Sequence, residues 1–517
     1  MLYPAYNVYA DLISANEVSP KGTRYLKTKK YKVPPLSFLG TYFFPRIFGG
    51  FGSSLQPPWL HFAPKVSYEE VFYLLIKVCD ALCGEGKTQS CINMMNNDLE
   101  HRYIFITPYL TEVERIKTSC AARDFVSPER KTANGFSKLE DIPSLLRAKK
   151  NIASTHALFS CYTDEIKELI REGHYILILD EVIDLFQAAD FDGKDIEWLK
   201  SKKVTEQDGD TVLWKDDNYD GVVFNELMNI SKSRNLKQYD DMFFFWALPP
   251  DVFMCFDSAY VLTYMFEFQL LKYYFDVCGI TYELIGTKRE NGIFQFCPVG
   301  EMNRRKNLRS RVHIVENERY NEIGNPSFSL SSGWFERATK EAGQPKLMIL
   351  KNNIYNIFRH YKCENEDKLW TTLNKYKGYL KGKGYTNSFI TFNKRATNDF
   401  ADRHYLAYCL NVFLMPWMKN YLARIGAKEI NQDMYALSVL IQWLFRSAVR
   451  NGDEVWIYIP SRRMRWLLEE WLKNLEEGKD LTPLKFDARR VPRINEAGYQ
   501  LKKTVDQKGG RHIGKRL

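Results

Sequence analysis

The apolar and polar positions along this chain predict a parallel sheet whose chemistry lies on one rim. Tyr175-Ile176-Leu177-Ile178-Leu179 is uniformly apolar and runs straight into Asp180-Glu181, the pattern of a strand buried on both faces. Tyr103-Ile104-Phe105-Ile106 ends at Thr107-Pro108 before a helical stretch from Thr111, and the weaker strand Asn151 to Ser154 ends at Thr155-His156. Leu74 to Val78 reads as a further strand, with Lys77 awkward for burial, and Gln89 to Asn97 as the helix that follows it. Tyr260-Val261-Leu262, ending at Thr263, resumes the series after a polar stretch from Gln187 to about Asp241 that has lost periodicity and reads as an insertion. Strands that alternate with helices and end in polar residues describe an α/β fold with its site at the carboxyl edge.

A second sheet is expected further on. Val312-His313-Ile314-Val315, Leu347-Met348-Ile349-Leu350, Phe389-Ile390-Thr391 and Val455-Trp456-Ile457-Tyr458-Ile459 read as its strands, and the polar, Arg-rich stretch from Gly286 to Arg309 as the connection. The expected organisation is an N-terminal extension over 1–67, a first domain over 68–290, a second over 291–480, and a tail over 481–517. At 517 residues the chain exceeds one ordinary core.

Charge changes the picture at one end only. The formal net charge is +10, and the tail from Leu481 carries ten Lys or Arg against three Asp or Glu, so seven of the ten excess charges sit there. The tail reads equally as a solvated terminus or as a contact for a phosphate backbone. The ten cysteines form no Cys-x-x-Cys pair, which argues against a zinc site. No secretory start and no membrane-length apolar window occur, and the aromatic patch Phe243-Phe244-Phe245-Trp246 stops at Pro249-Pro250. A reducing cytoplasm is the expected setting.

Between the first strand and its helix lies Ala81-Leu82-Cys83-Gly84-Glu85-Gly86-Lys87-Thr88. Glycines here let the backbone present N–H groups to phosphate oxygens, a lysine adds a point charge, and a threonine hydroxyl can hold Mg²⁺. A nucleotide triphosphate is the natural ligand of such a loop, Gly84, Glu85, Gly86, Lys87, Thr88 and Gln89 being the candidate contacts. Asp180-Glu181 follows about ninety residues later. An aspartate at that rim can hold Mg²⁺ while the adjacent glutamate polarises water for phosphoryl transfer. Much further on, Leu437, Ile441, Leu444 and Ala448 recur at helical spacing, which places Gln442, Arg446 and Arg450 together on the opposite face before the stop at Asn451-Gly452. Arginines presented across a cleft would stabilise charge on a γ-phosphate.

Together these residues resemble a superfamily 2 helicase of the DEAD/DEAH-related kind encoded by bacteriophages and mobile elements, over about Ala81 to Arg465. The resemblance implies two RecA-like parallel-sheet domains with ATP and Mg²⁺ in the cleft between them. It makes Lys87, Asp180, Glu181, Gln442, Arg446 and Arg450 the catalytic set, with Thr88 and Asp180 at the metal. Thr107, Pro108, Thr155 and His156, and Thr391 and Arg395 of a motif V-like region, would touch nucleic acid, DNA rather than RNA. Thr263 would couple hydrolysis to strand handling. Replication or recombination proteins of a phage or mobile element are candidate partners, and no membrane is implied. The sequence departs from the pattern in several places. Asp180-Glu181-Val182-Ile183, which matches motif II, lacks the fourth-position His or Asp, and Leu262-Thr263-Tyr264, similar to motif III, lies about eighty residues past it. In Gln442 to Arg450, similar to motif VI, the glycines are missing and the second arginine sits one position late, and no adenine-reading glutamine motif precedes the loop. A non-catalytic ATP-gated clamp and a viral DNA-packaging ATPase stay open as alternatives.

Overall fold

The computed structural model describes residues 75–130, 138–189, 193–221, 223–240, 243–302, 307–393 and 399–491, all within one compact unit. The expected N-terminal extension, Arg395 and the tail beyond 491 lie outside the described residues.

Four strands open the chain: β1 (Leu75–Asp80), β2 (Arg102–Thr107), β3 (Ile152–Thr155) and β4 (Tyr175–Asp180). Five short ones follow: β5 (Phe186–Ala188), β6 (Thr205–Asp208), β7 (Thr211–Trp214), β8 (Leu236–Asp240) and β9 (Phe243–Ala247). Then come β10 (Ser258–Thr263), β11 (Tyr282–Glu290) and β12 (Ile293–Pro298), and last β13 (Val312–Ile314), β14 (Lys368–Thr371), β15 (Tyr405–Tyr408) and β16 (Val455–Tyr458). The first sheet runs β12-β11-β1-β10-β4-β2-β3, parallel throughout except for the antiparallel β11–β12 pair. All six residues of β4 are buried, which is why its sequence is unbroken apolar up to Asp180. Lys77, the awkward residue of β1, faces its register partner Tyr260, with its ammonium 5.5 Å from the ring centroid. A lysine stem can cover apolar surface while its charge rests over an aromatic face.

The stretch expected to be an insertion forms its own antiparallel sheet, β5-β9-β8-β7-β6. Its strands are short, and a small core of Ile196, Leu199, Val212, Trp214, Leu227, Leu236 and Phe244 holds them. The aromatic patch at 243–246 is its strand β9. Phe245 there meets Trp417 and Tyr421 of the helix Pro416–Arg424 at centroid distances of 5.2 and 4.7 Å. Tyr421 donates to Asp210 at 3.0 Å, and Arg424 to the Tyr239 carbonyl at 2.8 Å.

The second sheet is the parallel set β13-β16-β15-β14. Three expectations about this half are corrected. The stretch from Gly286 is not a connector at its start, because β11 and β12 form a hairpin on the first sheet, which therefore extends past 290 to Pro298. Its turn is Asn291-Gly292 with φ of 51° and 84°, the double positive φ that a two-residue hairpin requires and that Asn-Gly supplies at little cost. Leu347 to Leu350 is not a strand; it lies in the helix Pro345–His360. Pro345 is pre-set for the first helical turn, and Leu347, Leu350, Ile354, Ile357 and Phe358 are buried at helical spacing while Met348 and Ile349 stay 58% and 50% exposed. Phe389 makes only a single-residue bridge to Trp370, and the sheet is completed instead by β14 and β15. No helix among the described residues is long and apolar enough to cross a membrane.

The helical phase at 347–358 sets an expected outcome. Leu350→Ala should cost about 2–5 kcal/mol in urea unfolding and Ile349→Ala less than about 1 kcal/mol; the reverse order would contradict the helix.

Candidate functional site

The loop from Ala81 to Thr88 leaves the end of β1 and enters the helix Lys87–Asn97. Gly84 and Gly86 hold φ of 85° and 79°, values that suit glycine alone without strain. Gly86 is also the helix N-cap, and a Cβ built on it would run into the Phe294 ring. The Lys87 ammonium turns back onto the loop, donating to the carbonyls of Ala81 at 2.5 Å and Leu82 at 3.1 Å. It therefore spans the concavity that its own loop encloses. Gln89 donates to Asn93 one turn along the helix, at 3.1 Å.

The acidic pair stands across from the loop. β10 lies between β1 and β4 in the sheet, and the Thr88 hydroxyl donates to Asp180 Oδ1 at 3.2 Å. Burial pushes the Asp180 carboxyl up to about 7, aided by Glu181 and Glu112 and opposed by Thr88 and Lys87. Glu181 adopts φ of 62°, a left-handed conformation that is uncommon for a side chain of this kind. Its N–H donates to the Leu262 carbonyl at 3.0 Å. His156 hydrogen-bonds the Asp180 carbonyl through Nε2 at 3.0 Å, so it braces the end of β4.

Arg446 arrives from the second half of the chain. Its Nη2 lies 3.2 Å from Glu181 Oε1 and its side chain is only 4% exposed. Its Nε is buried without a hydrogen-bond partner among the described residues, an unspent donor beside the acidic pair. The route by which Arg446 gets there differs from the expected one. The helix Gln432–Leu444 ends before Arg446 and is buried nearly all round, through Met434, Ala436, Leu437, Ser438, Leu440, Ile441, Trp443 and Leu444. Ser447 is extended, its hydroxyl donates to the Leu444 carbonyl at 2.6 Å, and a separate 3₁₀ turn follows over Ala448–Asn451. Gln442, Arg446 and Arg450 thus do not share one helical face; Gln442 lies half-buried on the helix, Arg446 in the turn after it, and Arg450 half-buried in the 3₁₀ turn.

The remaining candidates are placed as follows. Thr107 and Thr155 are register partners at the ends of β2 and β3, but Thr107 is fully buried, so its side chain cannot touch a bound strand as placed. Pro108, Thr155 and Thr391 are half-buried. Thr263 ends β10, accepts the Ala81 N–H at its carbonyl at 3.1 Å, and donates its hydroxyl to Gln269 at 3.0 Å. Arg462, Arg463 and Arg465, at the start of the helix Arg462–Glu476, are spent inside the protein, Arg462 on the Val491 carbonyl at 3.2 Å, Arg463 on Asp433 at 2.6 Å and Arg465 on the Ile459 carbonyl at 2.7 Å.

Asp80 was missed by sequence reasoning. It closes β1, and its carboxylate accepts the N–H groups of Met265 at 2.7 Å and Phe266 at 3.0 Å. Burial pushes it up to about 6. Of the segment it holds, Tyr264, Met265 and Phe268 pack with Leu82 into the core of the second sheet, while Phe266 stays in a core of the first. There the Tyr264 hydroxyl donates to Asp480 at 2.9 Å and accepts from Trp471 at 3.2 Å. An acid closing a strand whose only other charge is Lys77 was the available signal.

The fold and site define a mixed α/β protein with two parallel sheets and a glycine-rich loop facing an acidic strand end. Residues 306–472 match the YonV C-terminal Rossmann-like domain, which covers the second sheet. The chain is 38% identical over 413 residues to the SPbeta prophage-derived uncharacterized protein YonV of Bacillus subtilis (strain 168), spanning 77% of this chain and 99% of that protein. It belongs to the YonV family. Among solved structures it is similar to an XPD helicase, at 11% identity and a TM-score of 0.38 over 80% of this chain and 96% of that one. It is also similar to S. tokodaii Xpd4, at 12% identity and a TM-score of 0.42 over 77% and 94%. At these values nothing about activity transfers.

Asp80 generates two expected outcomes. Asp80→Ala strands two buried N–H groups and should cost about 1–3 kcal/mol for each in thermal or urea unfolding. Because its folded pKa lies above the ordinary 3.8, the native state binds a proton that the unfolded chain has lost. The Asp80 contribution is therefore fully present below about pH 4 and lost as pH rises through about 6. Asp80→Asn should show a shallower decline in stability across that window than the parent; an identical slope would contradict the assignment.

Proposed function

We propose that this chain is an ATP-dependent helicase or translocase, which couples ATP hydrolysis to movement along nucleic acid, with DNA the favoured strand. One observation carries the reading: the loop threonine, the acidic pair and an arginine from the other half of the chain converge, through Thr88 to Asp180 and Arg446 to Glu181, each at 3.2 Å. The Asp180 carboxylate and Thr88 hydroxyl are hard oxygen donors already in contact, and they fit Mg²⁺ held partly through water. When bound there, Mg²⁺ would neutralise charge on the β- and γ-phosphate oxygens.

The chain's own residues divide the remaining work. The N–H groups at the start of the helix Lys87–Asn97 and the Lys87 ammonium bind phosphate oxygens, the lysine exchanging the loop carbonyls for ligand. Glu181 orients the attacking water. Arg446 leaves Glu181 for the γ-phosphate, its buried Nε supplying a further donor there. The Tyr264–Phe268 segment, pinned by Asp80 and seated in the second core, passes changes at the loop to the other half of the molecule. The prophage origin of the YonV relative fits a role in phage or mobile-element DNA transactions.

The ion pair of Arg446 with Glu181 also favours a second reading, an ATP-gated clamp that binds nucleotide without turnover, since both groups are held by each other. Turnover separates the two. In the motor reading, ATP hydrolysis is stimulated by single- or double-stranded nucleic acid. Lys87→Ala and Glu181→Gln each lower it on the order of a hundredfold or more, and Arg446→Ala by roughly a thousandfold. ATP binding with no hydrolysis in any nucleic acid would leave the clamp. Unchanged turnover in all three variants would remove both.

A further inference from the structure

We propose that the β11–β12 hairpin is a nucleobase platform, on which Phe294 and Arg289 receive the purine of a nucleotide whose phosphates lie on the Gly84–Thr88 loop. This rests on the nucleotide-binding reading above and names the part of the ligand that reading leaves unassigned. Sheet order supplies the direction. β4, with Asp180, lies on one side of β1 beyond β10, and β11 and β12 lie on the other. A triphosphate with its γ end at the acidic pair and Arg446 directs its base end toward the hairpin.

The hairpin is built onto the loop at that place. The Phe294 ring lies directly against Gly86, so that any side chain there would displace it. Thr287 donates its hydroxyl to the Glu85 carbonyl at 2.7 Å, and Asn93 donates its amide to the Phe294 carbonyl at 2.8 Å. The first bond fixes the hairpin to the loop that would hold phosphates, and the second fixes it to the helix that follows that loop. The Arg289 guanidinium stands 5.4 Å from the Phe294 ring centroid, and both residues keep solvent-accessible surface. A planar cation beside an aromatic ring is a surface on which a heteroaromatic base stacks. Gln89, one residue past Thr88, gives its amide N–H to Asn93, and its side-chain carbonyl takes no hydrogen bond among the described residues. That carbonyl is an acceptor matched to the exocyclic amine of adenine. The hairpin thus offers residues for base recognition in a chain that has no upstream glutamine motif.

Calorimetric titration of the full chain with Mg-ATP and with Mg-tripolyphosphate tests this. The parent should bind ATP more tightly than tripolyphosphate. Phe294→Ala should weaken ATP about tenfold or more while leaving tripolyphosphate within about twofold; Phe294→Tyr should restore ATP, and Arg289→Ala should weaken it to an intermediate degree. Equal loss of both probes in Phe294→Ala would overturn the platform, because the ring would then be supporting the loop. So would ATP affinity unchanged in that variant. A parent chain that binds neither probe would overturn the nucleotide reading itself, and the platform with it.

Discussion

A guanidinium can be buried between two halves of a protein only if it finds a partner there. Arg446 meets that constraint at Glu181. An unpaired buried charge costs several kcal/mol, and one set against a carboxylate recovers much of that through hydrogen bonding and Coulomb attraction. The pair links a turn after the helix Gln432–Leu444 to the end of β4, two places 265 residues apart in sequence. Around it the other unusual features fall into place. Glu181 is held in a left-handed conformation, Asp180 is pushed well above the usual carboxylate range by burial, and His156 braces the strand end between them and the rest of the sheet.

The two halves are also joined by apolar contacts on either side of this pair. On one side Leu82, Tyr264, Met265 and Phe268, all from loops of the first sheet, complete the core of the second. On the other, the inserted sheet lays Phe243 and Phe245 against Trp417 and Tyr421. The halves are therefore held together by apolar packing as well as by the Arg446–Glu181 contact. Asp80 adds a polar link, since a single carboxylate ties the strand before the glycine-rich loop to the segment that enters the second core.

Most of the first sheet was legible in the sequence because its strands are buried on both faces and end in polar residues, so Asp180-Glu181, Thr107 and Thr263 announced the rim. The second half was harder to read. Leu347 to Leu350 is an apolar run whose alternation says nothing by itself, and the helical phase becomes visible only when Ile354, Ile357 and Phe358 are included. β15, a strand of four residues just after Asp402-Arg403-His404, has no such signal. The Asn291-Gly292 turn was a strong hairpin signal masked by the arginines around it. In the arginine-bearing segment Arg446 lies beside Glu181, but the expected shared helical face is not formed: Trp443, Leu440 and Ala436 bury the face that a solvent-exposed helix would need. Thr107 marks the limit of reading roles from position, since a strand-end threonine can be wholly internal.

The central claim is that one triphosphate is held between the loop of the first sheet and the arginine turn of the second half. Hydrogen exchange on the full chain, with and without Mg²⁺ and a non-hydrolysable ATP analogue, tests it most directly. The account expects slowed exchange in both segments, at 84–89 and at 445–450, appearing together at the same ligand concentration. Protection confined to 84–89, with 445–450 unchanged at saturating analogue, would contradict it.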